Sequence, residues 1–212
     1  MQRRMEFDLA IVGNGAIANA LALHFSERHR DARVALVGPA LRPGCASLAA
    51  GAMLNVFAEL EAGALDYPTA RAKFDAAVEA SRLWDSHLAL LNSKLAATPR
   101  VSIALGTHVV QNACTDRLDD LNFDGIIKYL DEYKQPYRHV DPNAIEGVKP
   151  APRARPLRAI LLEAEGTVSS KHLHRAYDEA FSRIENVTVF DTMVESLEAG
   201  DKVRTLKTKS GE

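Results

Sequence analysis

Gly13, Gly15 and Ala18, in the run Gly13-Asn14-Gly15-Ala16-Ile17-Ala18, have the spacing of a turn that cradles a dinucleotide. In such a turn the first small residue permits a tight exit from a strand. The second lets backbone approach a pyrophosphate, and the third lets the next helix pack closely against the strand. The phosphates rest on free N–H groups at the positive end of the helix dipole. The alternative for the same residues is a tight strand-to-helix turn with no ligand.

The turn acts only if a strand enters it and a helix leaves it, and the flanking sequence supplies both. Residues 9–12 (Leu-Ala-Ile-Val) form an apolar run suited to a buried parallel strand, and residues 16–27 have helical length. Residues 33–37 (Arg-Val-Ala-Leu-Val) read as a second parallel strand, closing a β-α-β unit of about thirty residues. Gly38-Pro39 ends that strand, and a loop follows through Pro43 and Gly44. A helical pattern over residues 70–95 offers Phe74, Val78, Ser81, Leu83, Leu88 and Leu91 for one buried stripe. Residues 101–110 return to strand character, broken at Gly106. Residues 119–133 read as an amphipathic helix with Leu121, Ile126, Ile127 and Leu130 inward. Residues 136–156 are rich in Pro, Arg and Asn and read as loop, with a short helical turn over residues 142–145. A short strand over 160–163 follows, then a helix capped by Ser169 or Ser170 and running to Arg183. Strands over 187–190 and 191–197 come next, with a hairpin through Ala199-Gly200-Asp201 to residues 202–208. This order describes a Rossmann-like α/β domain, a parallel sheet with a β-hairpin addition, interrupted by another module.

Composition narrows the function classes. The chain has 212 residues, 47% of them apolar, enough for one sizeable core or one domain plus part of another. A net charge of −2 with scattered basic residues argues against nucleic acid and membrane surfaces as partners. The two cysteines, Cys45 and Cys114, form no C-x-x-C pair, which argues against a disulfide framework or a zinc site and makes a reducing cytoplasm the default compartment. No metal site and no catalytic residue is assigned. No signal-peptide or membrane-spanning pattern is present.

Four stretches together resemble the D-amino-acid-oxidase-like FAD-dependent oxidoreductases, which include glycine and sarcosine oxidases. The first is residues 8–18. The second, Cys45-Ala46-Ser47-Leu48-Ala49-Ala50-Gly51-Ala52-Met53-Leu54, resembles the segment in which a Ser, small residues and a Gly-Met pair wrap the pyrophosphate and approach the flavin ring; here Ala52 separates Gly51 from Met53. The third, Glu165-Gly166-Thr167-Val168 with His172-Leu173, resembles the turn and helix leading back into the FAD domain. The fourth is residues 187–211, where Val194 matches a Val lying against the adenine. The resemblance implies FAD as cofactor and a small amine or amino acid as substrate, its C–N bond oxidised by hydride transfer to the flavin. The implied cofactor-binding residues are Gly13, Asn14, Gly15, Ala16, Ile17, Ala18, Gly38, Pro39, Ser47, Ala50, Gly51, Ala52, Met53 and Val194. The implied organisation is residues 1–82 as the first FAD-domain segment, 83–155 as a partial substrate-domain insertion, and 156–212 as the second FAD-domain segment.

Two departures accompany the resemblance. Family members place an acid at the end of the second strand to bind the adenosine ribose, where this chain has Gly38-Pro39. Loss of such a charge-assisted bond, worth about 1.5–3 kcal/mol, either weakens FAD binding or leaves it to backbone groups. Family chains are also far longer. The expectation is therefore a fragment, or a chain completed by a partner polypeptide or a second copy pairing with an open sheet edge. Two alternatives stand beside the flavoenzyme: a non-catalytic, degenerate Rossmann-like subunit acting as an assembly or regulatory partner, and an NAD(P)-dependent dehydrogenase in which Arg42 pairs with a phosphate. Otherwise Arg42 is a surface arginine, Cys45 a small buried filler, His172 and His174 solvated, Glu59 and Glu61 on a solvated loop, and residues 153–158 an exposed linker.

Overall fold

A computed structural model describes residues 5–198 and 205–209. The expected hairpin turn through Ala199, Gly200 and Asp201 lies outside the described residues. Internal contacts group the chain into two compact units, one of residues 1–51, 88–101 and 169–212, the other of residues 52–87 and 102–168.

The first unit is built on a parallel sheet. Strands β1 (Leu9–Val12) and β2 (Val34–Val37) pair in parallel, and β2 pairs in parallel with β6 (Val187–Phe190), so β2 is central. All four residues of β2 are buried, as a strand covered on both faces should be. Helix α1 (Ala16–Arg28) follows β1 and buries Asn19, Ala22, Leu23 and Ser26, one stripe at helical spacing. Helix α6 (Ser170–Arg183) buries Leu173, His174, Ala176, Tyr177, Ala180 and Phe181, and Tyr177 and Phe181 stack with ring planes 9° apart. Its N-cap is Ser169, whose hydroxyl accepts the His172 N–H. A short helix α2 (Ala46–Ala49) packs near α6, and the hairpin strands β7 (Val194–Glu198) and β8 (Thr205–Thr208) pair antiparallel.

The second unit holds an antiparallel sheet in which β5 (Pro156–Val168) lies between β3 (Ile103–Asn112) and β4 (Tyr137–Val140). This pairing places residues 156–168 with the second unit. Helices α3 (Pro68–Ser81) and α5 (Arg117–Glu132) supply Phe74, Val78, Phe123, Ile126, Tyr129 and Leu130 to a core shared with Phe57, Leu65, Ile160 and Leu162. Phe57, Phe74 and Tyr133 meet edge-to-face with centroids 5.0–5.7 Å apart. Asp116 and Asp119 close a capping box at the start of α5.

Several expectations change. The helix read over residues 70–95 is two helices, α3 and α4 (Trp84–Ser93). The Ser81 hydroxyl donates to the Val78 carbonyl, and the Arg82 and Leu83 N–H groups reach back only three residues, so the helix tightens and ends. Leu83 and Leu121, expected inward, are exposed. Phe123, in place of Leu121, faces the core. Residues 136–156, read as loop, contain β4, a four-residue strand whose Arg and His conceal its pairing with β5. The strand read over 160–163 extends to thirteen residues, because β3 pairs with it almost end to end. Arg158 belongs to β5 rather than to an exposed linker. Its guanidinium lies 4.2 Å over the Phe123 ring and pairs with Asp124 at 2.5 Å.

Two carboxylates hold loops by accepting successive backbone N–H groups. Buried Glu165 on β5 accepts from Val56, Phe57 and Ala58 at 2.6, 2.5 and 3.2 Å. Glu179 on α6 accepts the N–H groups of Ala96, Ala97 and Thr98 at 2.7–2.8 Å, and the Thr98 side chain first, then these backbone bonds, bring its carboxyl down to about 2. Beside Glu165, Gly166 runs so close to β3 that a Cβ there would sit 2.2 Å from the Ala104 carbonyl oxygen.

Two outcomes are expected. Gly166→Ala forces backbone apart and lowers stability by about 3 kcal/mol or more, read as a drop in the urea midpoint. Glu179 has a folded-state carboxyl below its unfolded value, so its contribution is complete above that unfolded value and disappears as pH falls toward about 2. The melting temperature should drop over this acid window, and Glu179→Gln should flatten that part of the profile.

Candidate functional site

The turn expected to hold phosphate lies in the first unit, where β1 gives way to α1. The Gly13 N–H extends the β1–β2 ladder by donating to the Val37 carbonyl at 2.8 Å, and the chain then reverses with Gly13 at φ +104°. That φ suits glycine alone among common residues, whereas nothing stands within 4 Å of a Cβ built there, so conformation rather than crowding selects it. Gly15 is the N-cap of α1, in extended conformation and with no side chain to cap the helix. A Cβ on Gly15 would meet only Ser47 Oγ at 3.5 Å and Cys45 Sγ at 3.9 Å. The approach to the helix end is therefore open and lined by a hydroxyl. The first-turn N–H groups have no intrahelical partners, and Ser47 Oγ accepts the N–H of Ala16 at 3.2 Å. Backbone donors, a hydroxyl and an open cradle at Gly15 fit a pyrophosphate. Ile17 points outward, 87% exposed, while Ala18 is half-buried.

Gly38 and Pro39 join this turn through Asn14. The Asn14 side chain, 7% exposed, donates Nδ2–H to the Pro39 carbonyl at 2.9 Å. A Cβ on Gly38 would lie 2.8 Å from Asn14 Cγ and 3.1 Å from Asn14 N. The place where a ribose-binding acid would start is filled by Asn14, so position 38 has only backbone to offer. On the other side of β2, the Asp191 carboxylate accepts the Ala40 N–H at 2.7 Å, three residues before half-buried Val194 opens β7.

Arg42 is neither a surface residue nor free for a phosphate. At φ +46° its side chain turns inward to 8% exposure. Nε donates to the Asn14 carbonyl at 3.0 Å, and the guanidinium grips both carboxylate oxygens of Asp178 on α6. His174, expected in solvent, is 2% exposed because α6 turns it toward α1 with Leu173 and Tyr177. Its Nε2 lies 3.0 Å from Ser47 Oγ and its Nδ1 lies 3.3 Å from Asn19 Nδ2. Burial, with the nearby charge of Arg42, holds the His174 imidazole below its ordinary pKa against the opposing pull of Asp178. His172, two residues earlier on a different face, reaches the Pro99 carbonyl at 2.7 Å. Cys45 is half-buried, with Sγ 3.1 Å from Ser47 Oγ. Burial pushes its thiol up, but hydrogen bonds from Ser47 and the Leu48 and Ser47 N–H groups, with the charge of Arg42, leave it below the ordinary value.

Ser47 sits on α2; Ala50, in extended conformation, and Gly51 follow it, both exposed. Ala52 and Met53 belong to the second unit. There the Ala52 carbonyl accepts the Val168 N–H at 3.1 Å, and Met53, 56% exposed, bridges to Thr167 on β5. Ala52, not Gly51, carries the left-handed φ of +50°. Glu59 and Glu61 are exposed, as expected. Among the described residues no cluster of three His, Cys, Asp or Glu side chains could hold a metal ion, and no helix is long and apolar enough to cross a membrane.

The site residues that sequence reasoning missed are Asn19, Asp178, Asp191 and the inward-facing His174. Asn19 had a signal: it shares the apolar stripe of α1 with Ala22 and Leu23, where a polar residue must find a partner.

Comparison with known proteins gives a family and a fold. The family model described as FAD dependent oxidoreductase matches residues 8–212. No curated protein matches the chain. Among solved structures it is similar to glycine oxidase from Geobacillus kaustophilus (TM-score 0.72, 20% identity, 97% of this chain and 52% of that one) and glycine oxidase from Bacillus cereus (TM-score 0.73, 19% identity, 97% and 52%). It is also similar to iminodiacetate oxidase from Chelativorans sp. (TM-score 0.70, 19% identity, 96% and 52%). At these identities the likeness is one of fold. The chain spans about half the length of the solved structures it matches.

Because Asn14 is buried and bonded, Gly38→Ala should destabilise the protein by about 1–3 kcal/mol, measured by urea denaturation. Asn14→Ala in the same chain should return part of that loss by vacating the space.

Proposed function

This chain belongs to the FAD-dependent oxidoreductase family, and from that premise we propose that it holds FAD at the first turn of α1 and serves the oxidation of a C–N bond in a small amine or amino acid. The observation that carries the reading is the open cradle at Gly15, faced by the first-turn N–H groups and the Ser47 hydroxyl. The N–H groups of Gly15, Ile17 and Ala18 would hold the pyrophosphate, with Ser47 as a side-chain donor braced by the Ala16 N–H. Gly38 and Pro39 would meet the adenosine ribose through backbone, and Val194 would lie against the adenine. Ala50, Gly51, Ala52 and Met53 would lead toward the flavin ring. FAD, when bound, supplies the two-electron acceptor for the substrate hydride.

What this chain contributes is binding and orientation. The donors converge where the helix dipole is positive, so they favour the dianionic pyrophosphate without reorganising. Substrate class rests on the fold relatives, which are named as oxidases of glycine and of iminodiacetate. The nicotinamide alternative loses the residue on which it relied, since Arg42 is taken up by Asp178 and the Asn14 carbonyl.

The test is FAD titration of the purified chain, followed by flavin absorbance and fluorescence quenching. Gly15→Ala should leave the melting temperature of the ligand-free protein unchanged, because its Cβ meets nothing closer than 3.5 Å. It should weaken FAD binding by about tenfold or more, because that Cβ stands in the phosphate approach. A chain that takes up no FAD, or a variant that binds it as well as the parent, overturns the assignment.

A further inference from the structure

The buried polar chain behind the turn has a direction, which follows from counting donors and acceptors. Asn19 is wholly buried and its Nδ2 donates to the Asn14 carbonyl at 3.0 Å, which fixes the amide orientation. Its Oδ1 has no partner among the described residues, so the amide presents only N–H toward His174. The His174 Nδ1 at 3.3 Å must then accept, and the ring proton of the neutral imidazole resides on Nε2. Nε2–H donates to Ser47 Oγ at 3.0 Å, and the Ala16 N–H donates to the same oxygen at 3.2 Å. Both lone pairs of Ser47 are thus engaged. Its single proton is left to point outward, in the ligand-free protein toward Cys45 Sγ at 3.1 Å.

We propose that His174 is a positioning residue for dinucleotide binding, which makes the Ser47 hydroxyl a dedicated donor to a phosphate oxygen. This rests on the FAD assignment above. A hydroxyl left to itself can present a lone pair to a ligand as readily as its proton. With both lone pairs taken, it can only donate, and a phosphate oxygen is a far better acceptor than a thiol sulfur. The same geometry makes the device sensitive to acid. Protonation puts a second hydrogen on Nδ1, which then faces Asn19 Nδ2–H donor to donor. The charged groups around the ring are Arg42 on the loop after β2, which disfavours that proton, and Asp178 on α6, which favours it. Cys45 on the α2 side bonds Ser47, and the Tyr177 ring on α6 lies 6.4 Å away, tilted 63° to the imidazole.

The test combines FAD affinity with a readout from the ligand-free protein. Nitrogen-15 shifts of the His174 imidazole should show the Nε2–H tautomer and protonation only below the ordinary histidine range. His174→Leu should weaken FAD binding by about tenfold, the effect of one buried hydrogen bond. His174→Gln, which can accept from Asn19 and donate to Ser47, should restore most of it. The affinity of the parent should fall as pH drops through the His174 titration, and that of His174→Gln should stay level. An Nδ1–H tautomer overturns the proposal whatever FAD does. So does an unchanged affinity in His174→Leu, or a pH profile shared by the parent and His174→Gln. Failure of the parent to bind FAD at any pH overturns the functional assignment, and this proposal with it.

Discussion

The carbonyl oxygen of Asn14 is the point on which the first turn depends. It accepts Nδ2–H of Asn19 from within α1 and Nε–H of Arg42 from the loop after β2. The Asn14 side chain donates to Pro39 in the same loop. Three bonds on one residue therefore fix where β1 ends, where α1 begins and how the chain leaves β2. The Asn19 bond is buried and the other two are partly so; losing the partner of the buried one leaves a polar group unsatisfied at a cost of about 1–3 kcal/mol. Gly38, standing in place of an acid, is matched to Asn14 at this corner. The Asn14 amide needs the room that any side chain at 38 would take.

Charged side chains elsewhere are likewise held by several partners. Arg42 enters the interior because Asp178, Ala40 and Asn14 together receive its donors. A charge buried without such partners would carry a desolvation cost of several kcal/mol. Glu165 and Glu179 solve the complementary problem, since each collects three successive N–H groups of a loop that no ladder satisfies. One such carboxylate stands in each compact unit. The cradle proposed for the cofactor at Gly15 rests on backbone that the Asn14 and Arg42 bonds hold in place before any ligand arrives, and such preorganisation lowers the entropic cost of binding.

Features carried by local pattern were legible from the residues alone. The strand-turn-helix at residues 9–28, the second parallel strand, the helices α5 and α6, the latter capped by one of its two candidate serines, and the strand over 187–190 all appear where apolar period and capping chemistry place them. Features that depend on a distant partner were not. β4 exists because β5 pairs with it, and β5 reaches thirteen residues because β3 does the same. A helical pattern over 70–95 looks continuous until the Ser81 hydroxyl competes for the Val78 carbonyl.

The site divides along the same line. Sequence alone determined that residues 13–18 form a small-residue turn between strand and helix, because glycine spacing and apolar runs act within a few residues of one another. It also placed Ser47 and its small neighbours among the candidates. Only the tertiary structure decided that His174, distant from Ser47 in sequence, turns inward to meet it, that Arg42 serves Asp178 rather than a phosphate, and that Gly38 has no room for a side chain. Those outcomes are set by which helix face meets which loop, and the hydrogen-bond partner of a polar side chain cannot be known before that packing brings the two together.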